Sequence, residues 1–149
     1  PHVQPAERSK INIVIRHKNK RHAILNEQAL ADHLSDRYNP RVYVKVLDFE
    51  TLSPEKEVYA MSNATIFITP MGGGSFDANI MQDNAVVIFT EPCSNQDGKS
   101  ICSPIPNEVA LWNPVTHIHK LYYRHTKANT IVNDGDKGTS VRNRAHRVN

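Results

Sequence analysis

Residues 66–79 read IFITPMGGGSFDAN, an apolar run that enters three consecutive glycines and leaves through a segment long enough for about two helical turns. A strand that feeds a glycine turn and then a helix is the junction at which parallel α/β sheets hold ligands. Bare backbone N–H groups and the positive end of a helix meet there, and both suit a phosphate. The glycines also have a plain conformational use, because Gly72, Gly73 and Gly74 free the chain for a tight turn. They do not form the spaced G-x-G-x-x-G of a dinucleotide site, and no Lys-Ser/Thr closes them as in a P-loop.

The pattern extends outward in both directions. Ile11–Ile15 is a β-branched run that ends in a very basic loop, Arg16 to His22. Asn26 can cap a helix through Tyr38, and Asn39-Pro40 stops it. Val42–Val46 alternates with period two, as a half-buried strand does. Ser53-Pro54-Glu55 is a helix start, with proline at the first helical position and acids at the positive end; Asn63 closes that helix. Ala64–Thr69 is a third strand, Ala85–Thr90 a fourth and Ile118–Tyr123 a fifth. Continuous apolar strands separated by short helices predict a Rossmann-like parallel sheet with helices on both faces. The prolines at 92, 104, 106 and 114 break up the stretch before the fifth strand, where only Val109–Trp112 looks buried. The division expected is a lead-in over 1–10, one lobe over 11–128, and a C-terminal tail over 129–149 that is partly extended or mobile.

At 149 residues the chain has one domain's worth of core, burying roughly 70% of its unfolded surface. No apolar run approaches the ~20 residues of a membrane helix. A chain that opens on Pro1 reads as a processed product or a piece of something longer. The formal charge of +3 is a weak basic bias, concentrated in the six Lys or Arg from Arg8 to Arg21 and in Arg142, Arg144 and Arg147. Nucleic acid is disfavoured, since Tyr122-Tyr123-Arg124-His125 is the only basic-aromatic interleaving. Cys93 and Cys102 cannot make a four-thiolate zinc site; a small disulfide and two free thiols both remain open. His117-x-His119 has ligand-like spacing but lacks a third ligand, and Asp134-Gly135-Asp136 lacks the later glutamate of a calcium loop. No metal is expected. Gly73-Gly74-Ser75 misses the G-x-S-x-G hydrolase elbow because Asp77 stands where glycine is needed. Asn63-Ala64-Thr65 is a formal glycosylation sequon, placed where a helix feeds a buried strand.

Two loops therefore carry the site. The basic loop after the first strand and the glycines after the third both leave C-terminal strand ends, so they open on one edge of the sheet. A guanidinium there can pair with a diphosphate whose negative charge grows as a bond to it breaks. Arg16, at the strand end itself, is the first candidate.

These residues resemble a known family. Ile13-Val14-Ile15-Arg16, Ile24-Leu25-Asn26-Glu27, Val46-Leu47-Asp48-Phe49-Glu50 and Met71-Gly72-Gly73-Gly74 with Ile80-Met81 are similar to the C-terminal, nucleotide-sugar-binding half of glycosyltransferase 61 enzymes, in a divergent member. The resemblance spans about residues 11–91. It departs from the family at Met71, where a histidine is usual, at Gly73 and Ser75, and at Ile88, where the family often has glutamate; Glu91 is the nearest acid. It implies one lobe of a two-lobed GT-B enzyme that transfers a sugar with inversion from a nucleotide-sugar donor, UDP-linked, to a glycan or protein hydroxyl. No tightly bound cofactor is implied, and a further N-terminal lobe or second chain would complete the site. By the same resemblance the donor-holding positions fall on Arg16, on Arg21 or His22, and on Gly72 and Gly74; Gly73 and Ser75 complete the candidate donor turn, and Asp77, its only acid, is the catalytic candidate, as base or ribose ligand. A helix-capping role for Asp77 stays open beside these. A secretory-pathway lumen follows if the source is eukaryotic. A non-catalytic nucleotide- or sugar-binding domain, or a structural one that keeps the fold, is the alternative.

Overall fold

The first strand sets the sheet. Ile11–His17 (β1) pairs in parallel with Val42–Asp48 (β2) on one side, Ile13 opposite Val44, and with Ile66–Pro70 (β3) on the other, Ile15 opposite Ile68. The computed structural model describes residues 10–18, 23–90, 93–96, 99–102, 106–123, 130–131 and 145–146. Val86–Thr90 (β4) runs parallel to β3, and after a short antiparallel pair, Cys93–Gln96 (β5) and Lys99–Cys102 (β6), His119–Tyr123 (β7) runs parallel to β4. The five-stranded order is β2-β1-β3-β4-β7. The Rossmann-like parallel sheet expected from the sequence is present, with helices on both faces.

Alternation along the strands divides the core in two. Ile13, Ile15 and Ile68 face helix α1 (Glu27–Tyr38) and pack with Ile24 and Ala31. Val14, Phe67, Val87 and Phe89 face the other way. There they are covered by α2 (Pro54–Ser62), by the 3₁₀ helix Gly73–Ile80 and by α3 (Pro106–Trp112). Phe67 and Phe89 are fully buried; truncating either to alanine would cost roughly 3–5 kcal/mol. Met61 and Trp112 close the layer from the helices and are equally buried.

Several local expectations shift. Asn26 and Ser53 stand at the helix starts without a side-chain capping bond. Hydrogen bonding from its own backbone N–H, and less from the Ser53 side chain, holds the Glu55 pKa below its ordinary value. The segment after the glycines is a 3₁₀ helix of eight residues, tighter than the α turns expected. Residues 92–116 contain more order than their prolines suggest, since the β5–β6 hairpin and α3 lie there. Cys93 sits directly opposite Cys102 across that hairpin. In the tail, Thr130–Ile131 (β8) pairs with Ala145–His146 (β9). No helix among the described residues is long and apolar enough to cross a membrane.

Candidate functional site

Strand order fixes where a ligand can approach. The chain steps from β1 outward to β2, then returns past β1 to β3, so the connections leave the sheet in opposite directions at the β1–β3 boundary. A crevice opens at the carboxyl ends of strands at such a switch point. Arg16 ends β1 on one side of it, and Met71–Ser75 follows β3 on the other.

Gly72 has φ +146°, a conformation that a Cβ disfavours, so the turn itself requires glycine there. Gly74 is required for a different reason. A Cβ at that position would lie 2.7 Å from Nη1 of Arg16 and closer still to its guanidinium carbon. Among the described residues nothing lies within 4 Å of a Cβ built on Gly72 or Gly73, so the space over the first two glycines is open. Ser75 is buried and donates its hydroxyl to the Gly72 carbonyl at 2.7 Å, which closes the turn from inside. Met71 is buried in the core and does not face the crevice solvent.

Arg16 crosses the crevice. Its Nη1 donates to the Gly74 carbonyl at 2.6 Å and pairs with Oδ2 of Asp77, and its guanidinium lies 4.7 Å from the ring centroid of Phe49. Its side chain is 13% exposed and that of Asp77 20%, so the pair is shielded enough to outweigh a surface salt bridge. Nε and Nη2 make no hydrogen bond among the described residues. Glu57 is half-buried on α2, which packs against the 3₁₀ helix. Burial first, then the nearby Asp77 carboxyl, raises its pKa, while Arg16 opposes the rise. The cluster is thus one guanidinium against two carboxyl groups.

On the opposite face of β1, His17 Nδ1 contacts Oε1 of Glu27 at the start of α1. On the α3 side Phe76 stacks on Trp112 with centroids 5.5 Å apart, and Tyr122 stacks on Phe89, burial raising its phenol pKa. Arg21, His22, Glu91, Arg124, His125 and the arginines at 142, 144 and 147 lie outside the described residues, as does Asp134-Gly135-Asp136. Among the described residues no group of three or more His, Cys, Asp or Glu could hold a metal. Asn63 is exposed at the end of α2, its Nδ2 donating to the Tyr59 carbonyl at 2.7 Å. A separate groove of about 500 Å³ lies between α2 and the β1–β2 edge, lined by Val14, Tyr43, Leu47 and Tyr59 among others. Its lining includes none of the glycine turn.

The structure therefore brings Arg16, Gly72, Gly73, Gly74 and Asp77 together and keeps the Ser75 hydroxyl within the turn. Phe49 and Glu57 are additions to the cluster. Glu57 reads in sequence as an ordinary acid near a helix start, and Phe49 as part of a strand end. The Phe49 ring is placed by its packing on Phe67 and under Arg16, and Glu57 by the packing of α2 against the 3₁₀ helix.

With that geometry in hand, the comparison with known families is decisive. The family model for Glycosyltransferase 61 matches residues 1–88. The chain belongs to the glycosyltransferase 61 family. The match takes in β1 through β3, both loops of the crevice and most of β4. It corrects one expectation. The chain is not identified as the C-terminal nucleotide-sugar-binding half of a divergent member: the match covers the N-terminal part of this chain and stops at residue 88. The physical reason for the error is that strand, basic loop and glycine turn define the edge of a parallel sheet without stating which part of the family's length they belong to. Among curated proteins no match is found for this glycosyltransferase 61 chain.

Proposed function

We propose that this glycosyltransferase 61 chain, with residues 11–128 as its lobe, holds the diphosphate of a nucleotide-sugar donor at the β1–β3 crevice. The sugar passes with inversion from a UDP-linked donor to a hydroxyl of a glycan or protein, and a further lobe or second chain supplies the acceptor side. No tightly bound cofactor enters this reading. A secretory-pathway lumen would suit it in a eukaryote.

The observation that carries the reading is Arg16 crossing a switch-point crevice toward a glycine turn with open space above it. A guanidinium offers paired N–H donors to phosphate oxygens, and Nε and Nη2 are the atoms available for this. As the bond from sugar to diphosphate breaks, charge accumulates on the leaving phosphate, and a fixed cation there lowers the barrier. The backbone N–H groups of Gly73 and Gly74, in the first turn of the 3₁₀ helix, would supplement it. Arg21 and His22 would add charge from the basic loop. Ser75 serves by closing the turn. Asp77 is committed to Arg16, so its favoured role is to position that side chain; use as general base would require its release.

A second reading has its own support. With Met71 in the core and the Ser75 hydroxyl bonded to Gly72, Asp77 is the one acid–base side chain of the turn. That favours a lobe that binds a nucleotide or sugar without performing transfer. Calorimetric titration with UDP, UMP, GDP and their sugars tests both. The donor reading expects UDP and UDP-sugars to bind, with Arg16→Ala weakening them by about 2 kcal/mol, or ~30-fold. Arg16→Lys should also weaken binding because it keeps charge and loses paired geometry. No heat from any of these ligands at millimolar concentration would remove both readings.

A further inference from the structure

The hairpin of β5 and β6 follows β4 at the carboxyl edge of the sheet, the edge on which Arg16 and the glycine turn open. Its ladder pairs Gln96 with Lys99, Asn95 with Ser100, Ser94 with Ile101 and Cys93 with Cys102. The closing pair is separated by Asp97-Gly98, a sequence that two-residue hairpin turns favour. The pair flanking such a turn exchanges both backbone hydrogen bonds, and hydrogen-bonded and non-hydrogen-bonded pairs alternate outward from it. Cys93 and Cys102 therefore fall at a non-hydrogen-bonded position. Opposite residues there share a face of the ladder, with Cα atoms about 4.5 Å apart. That lies within the range of about 4.4–6.8 Å that a disulfide spans.

We propose that Cys93 and Cys102 are joined by a disulfide that staples this hairpin at its root. They are the only two cysteines of the chain, so no other pairing exists within it. Among the described elements β5 and β6 pack mainly on each other. Apart from the cysteines, only Ile101 in their sequences CSNQ and KSIC is apolar. A two-stranded hairpin of that kind is marginal in water, and a bond across its open end removes freedom from the unfolded segment. The root also stands beside the candidate site. The Met71 N–H donates to the Thr90 carbonyl at 3.2 Å, which ties the end of β4 to the start of the glycine turn. Cys93 follows Thr90 after Glu91-Pro92 alone. Nothing in this pairing depends on a nucleotide at the crevice.

Closure needs an oxidant, and a small disulfide of the glutathione type supplies it by exchange. The thiolate of one cysteine attacks the glutathione disulfide. A sulfur–sulfur bond forms to that cysteine, and one glutathione thiolate leaves. The second cysteine thiolate then attacks the sulfur of the first and expels the other glutathione thiolate. Two protein thiols are oxidised to one disulfide, and one glutathione disulfide is reduced to two thiols. The two protons pass from the cysteines to the leaving thiolates. An oxidising compartment favours the closed form.

The test equilibrates the full 149-residue chain with mixtures of reduced and oxidised glutathione, blocks free thiols with iodoacetamide and digests with trypsin without reductant. Trypsin cuts after Lys99, between the two cysteines, and yields peptides 57–99 and 100–120. The expected result is a single species in which these two peptides are linked and which separates on reduction. The same equilibration in denaturing urea measures closure by an unfolded chain. The folded chain should hold the bond at least about tenfold more favourably than the unfolded one. Equal closure in the two states would overturn the pairing. So would recovering both peptides alkylated, or each carrying glutathione, from the folded chain in excess oxidised glutathione. Linkage found only between two chains, as a dimer on a non-reducing gel, would overturn it as well.

Discussion

Gly74→Ala places a methyl group where the Arg16 guanidinium now sits. The backbone does not resist the change, since Gly74 has no positive φ. The arginine must give way, and as the far end of a flexible side chain it can swing into solvent. The cost is then capped by what its contacts contribute: the bond to the Gly74 carbonyl and the ion pair with Asp77. Charge-assisted bonds of this kind are worth roughly 1.5–3 kcal/mol. Restricting the unfolded chain by replacing glycine returns about 0.4–1 kcal/mol. A net loss of about 1–2 kcal/mol follows, and a midpoint lower by roughly 2–8 °C for a chain of this size. The cause can be isolated with Arg16→Ala as a second background. There the methyl group has room, so Gly74→Ala should be neutral or slightly stabilising. Denaturant unfolding of the two single variants and the double variant would then give a coupling of about 2 kcal/mol. Additive losses, within about 0.5 kcal/mol, would refute the seat assigned to Arg16.

The two neighbouring glycines should respond differently from each other. Gly72→Ala should lose about 1–3 kcal/mol through backbone strain alone, and Gly73→Ala should be neutral within about 0.5 kcal/mol; chemical denaturation reads both. Glu57 has a raised folded pKa, so its contribution is present below its unfolded value and is lost as pH rises through the folded one. Midpoints measured across that window should decline in the wild type and decline less in Glu57→Gln. Ser53→Ala should return the Glu55 pKa toward 4.5, followed by NMR titration. Trp112 is the only tryptophan and stacks on Phe76 within the 3₁₀ helix, so UDP binding at the turn should change its emission, and an unchanged spectrum at saturating UDP would speak against ligand contact there.

Much of the fold is legible because its signals are local. β-branched runs mark β1 and β3, period-two alternation marks β2, and Ser53-Pro54 marks the start of α2. Parallel strands joined by short connections, as β1 to β4 are, leave few ways to order a sheet. The hairpin of β5 and β6 and the helix α3 were less readable, since proline-interrupted polar text lacks periodicity until chain neighbours supply packing. The site divides in the same way. A basic strand end and a glycine turn can be read from the chain, and topology places them together. That Arg16 meets Asp77, 61 residues away, depends on a missing Cβ at Gly74 and on the angle of a 3₁₀ helix. Glu57 gave no sign of its role because its acid function matched what a helix start ordinarily carries. That the family match falls on the N-terminal part of the chain was not encoded in those motifs at all.

The central claim is that a nucleoside diphosphate binds at the β1–β3 crevice, and the most direct measurement is an amide NMR titration of the chain with UDP. The account predicts the largest shifts at Arg16 and His17 and across Gly72–Asp77, with Arg16→Ala abolishing or strongly weakening them. Shifts centred instead on Tyr43, Leu47 and Tyr59, in the groove between β2 and α2, would contradict it.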